Sequence, residues 1–111
     1  MSGGAEKRRH IRIPLIAEIQ YFSDSPPLAA RISDISSSGL FIDTLNALPI
    51  GATVKFRLLL PPEISATPIV GEGVVAWVQP MLGMGLRFTH MGRTDWERIT
   101  AYVGSVAKAK R

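Results

Sequence analysis

The sequence contains no cysteine, which excludes disulfides and thiolate metal sites and leaves a small fold to be held by its apolar core alone. Aromatic residues make up only 7% of the chain. A row of exposed stacking rings, the usual basis of single-stranded nucleic-acid binding, therefore has little to draw on. No window approaches the roughly 20 apolar residues of a membrane-spanning helix, and the opening MSGGAEKRR lacks the apolar centre of a signal peptide. A soluble, cytoplasmic protein without a membrane span is expected. Paired carboxylates are missing, no serine sits in a nucleophile elbow, and neither His10 nor His90 has carboxylates or thiols at metal-ligand spacing. Neither an enzyme nor a metal or cofactor site is expected from these residues.

What is present is ordinary globular usage, 46% apolar and 20% charged over 111 residues, the size of a single domain. The charge is unevenly placed. Thirteen Lys and Arg against nine Asp and Glu give a net +4, and Lys7, Arg8, Arg9 and Arg12 crowd into one short stretch. Such a local excess of cationic groups attracts phosphate oxygens, whether of a nucleotide, a nucleic acid or a lipid headgroup.

Residues 1–7 carry Ser, Gly and charges without periodicity and read as a mobile lead-in. From Ile13 to Phe22 the residues Leu15, Ala17, Ile19 and Tyr21 are apolar or aromatic while Glu18 and Gln20 interleave, the period-two pattern of a half-buried strand. Leu28–Ile35 repeats the pattern, the cluster Ser36-Ser37-Ser38-Gly39 turns the chain, and Leu40-Phe41-Ile42 completes a hairpin. Val54–Leu60, Val70–Val78 and Met84–Thr89 supply three more strands, separated by proline and glycine. With no helical crossovers between them, these strands predict a mainly antiparallel all-β sandwich or barrel. The tail differs: Thr94 to Glu97 has capping-box spacing, and Trp96, Ile99, Val103 and Val106 recur at helical intervals, predicting a helix over about 94–107. Lys108, Lys110 and Arg111 form a basic tail over 108–111, near the negative pole of that helix.

Two constellations carry chemistry. The first is Arg8-Arg9-His10-Ile11-Arg12, where Arg8 and Arg12 share a face of an extended segment about 13 Å apart and can bracket a ligand. Guanidinium bonds phosphate bidentately and also stacks on guanine or reads its O6/N7 edge. Taken alone, the run reads first as a solubilising basic end. The second is Asp34-Ile35-Ser36-Ser37-Ser38-Gly39, in which Asp34 and Ser36 point to the same side unless a bulge intervenes. A carboxylate there can accept the N–H donors of guanine, a hydroxyl can bond phosphate or base, and Gly39 permits a close turn. Taken alone, this segment reads first as a serine-rich hairpin turn with Gly at its end.

The two together, in this order on a chain of short strands, resemble the PilZ family, whose signature is R-x-x-x-R and then, some 20 to 30 residues later, D/N-x-S-x-x-G. At average residue usage both would arise by chance in a chain this long on the order of 1% of the time. The likeness extends through Gly39-Leu40-Phe41-Ile42 and Gly83-Met84-Gly85-Leu86-Arg87-Phe88 and covers roughly residues 8–91. It implies a six-stranded antiparallel β-barrel running to about residue 91, with a C-terminal α-helix, the domain spanning 8–107. It further implies a noncatalytic receptor for the bacterial second messenger cyclic di-GMP, which relays binding to an unidentified downstream protein. Carried over, Arg8 and Arg12 grip phosphates and guanine edges, Asp34 and Ser36 contact guanine and phosphate, Gly39 shapes the turn, and Arg9 is an additional contact. The alternatives are a ligand-independent scaffold of the same fold and, with less support from the composition, a basic barrel binding nucleic acid. Trp77 and Trp96 read as core anchors, the latter because it opens the apolar face of the helix. Arg87, between Leu86 and Phe88, reads as a solvated strand residue, with auxiliary ligand contact as the second reading.

Overall fold

The computed structural model describes residues 11–109. Within them lie β1 (Ile13–Phe22), β2 (Leu28–Ile35), β3 (Gly39–Asp43), β4 (Thr53–Leu59), β5 (Ile69–Gln79), β6 (Gly83–Met91) and a helix, α1 (Arg93–Ala109). The six strands close into an antiparallel barrel in the order β1-β2-β3-β6-β5-β4, the architecture expected from the alternation and turn signals. β4 shows why the pattern is decisive: Val54, Phe56 and Leu58 point inward and are buried, while Thr53, Lys55 and Arg57 between them are exposed. Tyr21, Ile19, Ile32, Ile35, Leu40, Ile42, Met84 and Leu86 complete the filling of the barrel. Each such fully buried side chain contributes about 1.5–3 kcal/mol of transfer free energy. The interior is therefore a packed core, and a ligand must use the outside.

The helix covers the barrel with Ile99 and Val103, which are buried, and with Tyr102 and Val106, which pack at the margin. It begins earlier than the Thr94–Glu97 spacing suggests. The amide of Trp96 donates to the carbonyl of Gly92 (3.0 Å), so Gly92 is the N-cap and Thr94 is already inside the first turn. Among the described residues no helix is long and apolar enough to cross a membrane.

Alternation fails at two places that matter. Between β2 and β3 the register passes from Ile32↔Ile42 to Asp34↔Phe41, leaving Ser33 as an extra residue. Between β5 and β6 it passes from Val75↔Leu86 to Trp77↔Gly85, leaving Ala76 as an extra residue. Each bulge inverts the parity of the residues beyond it. Ile35 is thus buried along with Ile32, and Asp34 is turned outward. The expectation that Asp34 and Ser36 share a side does not hold, since the Ser36 side chain is fully buried. Trp77, which strict alternation would place inside with Val75, lies on the outer face at 38% exposure and is not a core anchor.

Candidate ligand-binding site

Strand register aligns one row of residues across the outside of the barrel. Pro14 on β1 pairs with Asp34 on β2, Asp34 with Phe41 on β3, Phe41 with Gly85 on β6, and Gly85 with Trp77 on β5. Gly85 is the floor of this row. A Cβ built there would lie 2.2 Å from the Trp77 ring, so the indole rests directly on the glycine backbone. The Phe41 ring flanks it, with centroids 6.1 Å apart and planes tilted by 31°.

Arg12 reaches onto this shelf from just before β1. Its guanidinium bonds Oδ1 of Asp34, and its Cζ lies 5.0 Å from the centroid of the Trp77 ring. Both charged side chains are about one-third exposed, 37% for Arg12 and 33% for Asp34. A pair this open to solvent is worth about 0–1 kcal/mol, and a cation–π contact at an exposed site about 0.5–1 kcal/mol. The cluster is thus aligned by the strands and held only loosely by its own contacts. Among the described residues, the second carboxylate oxygen of Asp34 and the other N–H groups of Arg12 have no partner, which leaves them to meet N–H donors and phosphate or a carbonyl edge, and the rings offer an apolar wall.

The turn is built by Ser36. Its hydroxyl oxygen accepts from the amides of Ser38 (3.1 Å) and Gly39 (3.2 Å), while its own amide donates to the Gly39 carbonyl (2.8 Å). Ser36 accordingly acts on the site by fixing the turn from within. The turn is then tied outward, the Ser38 carbonyl accepting from the amide of Phe88 (2.8 Å) and the Ser37 carbonyl from the indole Nε1–H of Trp96 (3.0 Å). Gly39 is demanded by close approach: a Cβ there would stand 2.0 Å from the Leu86 carbonyl oxygen on β6. Trp96, expected in the core, is 44% exposed, because its polar edge finds its partner at the turn beyond the barrel margin.

Of the residues singled out from the sequence, the structure brings Arg12 and Asp34 together on the outer face, with Ser36 buried and Gly39 in close backbone contact in the turn that follows them. Arg8 and Arg9 lie outside the described residues. Sequence reasoning missed Trp77 and Phe41 as neighbours of Arg12. Their signal was the glycine opposite them at position 85, which is legible only once the register is known. A separate groove of about 560 Å³ opens elsewhere, between Phe22, Lys55, Arg57, Val70 and Met91, and contains none of the motif residues.

The architecture is that of a small closed antiparallel barrel carrying a polar cluster on its outer wall. The family model of the PilZ domain matches residues 6–105, and the chain belongs to that family. Among curated proteins none matches. Among solved structures the chain is similar to the inhibitor of motility MotI/DgrA of Bacillus subtilis (TM-score 0.79, 19% identity), covering 94% of this chain and 53% of that one. It thus spans about half the length of the Bacillus protein. It is also similar to the PilZ domain of YcgR from Escherichia coli, solved with c-di-GMP (TM-score 0.68, 15% identity, 95% of each chain). A third is the PilZ domain of CeSA from a cellulose-synthesizing bacterium (TM-score 0.62, 14% identity, 87% of this chain and 98% of that one). At these identities the structural likeness concerns the fold.

Proposed function

We propose that this protein is a noncatalytic receptor for cyclic di-GMP, which binds on the outer face formed by Arg12, Asp34 and the Ser36–Gly39 turn. The observation that carries the reading is the convergence of Arg12 on Asp34 beside that turn, although 22 residues separate them in the chain. Family membership and the ligand of the YcgR domain support the choice of ligand. In this reading the second carboxylate oxygen of Asp34 accepts the N–H donors of a guanine edge, Arg12 bonds phosphate or the O6/N7 edge, and Trp77 supplies a wall for the base. Arg8 and Arg9 add phosphate contacts, and binding draws the N-terminal arginine segment onto this face. The reshaped surface then meets a downstream protein, so that binding is the output.

Contacts worth together about 0.5–2 kcal/mol hold Arg12 in place. A ligand making several charge-assisted hydrogen bonds, each about 1.5–3 kcal/mol, can take over those contacts with free energy to spare. Isothermal titration with cyclic di-GMP tests the reading. Binding by the wild type, weakened by about 1.5 kcal/mol or more in Arg8→Ala and in Arg12→Ala, is expected. Absence of binding at high micromolar ligand would instead favour a scaffold that works without it.

A further inference from the structure

We propose that the groove between β6 and α1 is a second half-site, holding a guanylate unit between the guanidinium of Arg87 and the ring face of Trp96. The inference rests on the receptor reading above and extends its footprint past the turn to the helix. Arg87 stands on β6 opposite Gly39 and two residues beyond Gly85, so it shares the outer face with the Trp77 shelf. Its side chain is exposed, and among the described residues it has no hydrogen-bond or ion-pair partner. Arg98, by contrast, lies against Asp95 at 3.2 Å.

Trp96 lines the same groove as Arg87. Its indole N–H is tied to the Ser37 carbonyl at 3.0 Å, while the residue remains 44% exposed. The tie fixes the ring so that stacking on it requires little further ordering. Ser38, Thr89 and His90 add polar groups to the walls of a groove of about 390 Å³, a size suited to a small organic ligand. An anchored indole, an unpaired guanidinium and nearby hydroxyls form a set that recognises a planar base bearing phosphate, through stacking together with bidentate N–H bonds. The groove and the Arg12–Asp34 face are joined through the turn itself, by the Ser36–Ser38 hydroxyl contact of 3.1 Å. Cyclic di-GMP has two guanylate units, and the two sides of the turn offer one place for each.

The test combines calorimetry with fluorescence, using cyclic di-GMP as the probe. Arg87→Ala should leave the unfolding midpoint unchanged and weaken binding about 10- to 100-fold, the effect of one lost charge-assisted contact. In Trp77→Phe the remaining tryptophan is Trp96, and its emission should be quenched at saturating ligand. If the wild type binds in an Arg12-dependent manner while Arg87→Ala binds equally well and Trp96 emission stays constant, the half-site is wrong and the receptor reading stands. If the wild type does not bind at all, the receptor reading fails and this inference with it.

Discussion

The barrel has a regular half and an irregular half. The β1–β4 and β4–β5 ladders run without a register shift, and β4 alternates buried and exposed residues along its length. The ladders around the motif behave differently: β1–β2, β2–β3 and β5–β6 all shift register, and the intervening β3–β6 pair is in close backbone contact at Gly39. Along β4, regular pairing sends Val54, Phe56 and Leu58 into the core and leaves Thr53, Lys55 and Arg57 on the outside. The bulges place Asp34 and Trp77 on the outer wall, and the glycine at 85 makes room for the indole. Three of the shifts, at Pro14/Ala17, Ile32/Asp34 and Val75/Trp77, lie around the Arg12–Asp34 cluster, and a fourth, at Glu72/Gly73, borders the separate groove.

This contrast predicts that changes in the regular half alter stability alone, whereas those in the irregular half also alter binding. The largest effect should come from Phe56→Ala, which empties a fully buried position on β4 and should cost about 3–5 kcal/mol in denaturant unfolding. The fraction that remains folded should bind as the wild type does. Gly39→Ala forces a Cβ against the β6 backbone and should cost about 1–3 kcal/mol, with binding weakened as well because the turn is displaced. Arg12→Ala sharpens the contrast from the other side: a binding loss of about 1.5 kcal/mol or more by calorimetry, with stability changed by less than about 1 kcal/mol. The smallest change is expected at Met81, which adopts φ 70° at the tip of the β5–β6 hairpin while highly exposed. Met81→Gly should relieve that conformation and raise stability by about 1 kcal/mol or less, measured by thermal unfolding, with binding unaltered.

The regular half was legible in the sequence because alternation and turn chemistry agree there. Val54, Phe56 and Leu58 could be assigned inward from spacing alone, and the proline-bounded ends of the strands came with them. Arg12, Asp34, Ser36 and Gly39 could be picked out as motif residues, but their arrangement could not. The bulge at Ser33 depends on which strand lies beside β2, a non-local property that no spacing encodes, and without it Asp34 and Ser36 fall on one side. Trp77 was misread for the same reason. Its own strand pattern points inward, and only the extra residue Ala76 in the pairing with β6 reverses it. The helix reading placed Ile99 and Val103 correctly and Trp96 incorrectly, since periodicity registers an apolar ring without the carbonyl that draws its N–H to the turn.

Whether the ligand meets the irregular face is decided by an amide-resolved NMR titration of the labelled protein with cyclic di-GMP. Saturable shifts are expected for Asp34, for Ser36 through Gly39 and for the indole N–H of Trp77, with the β4 amides of Val54, Phe56 and Leu58 unmoved. Shifts confined to β4 and the groove beside Phe22 and Val70, or a spectrum that ignores the ligand, would contradict the assignment.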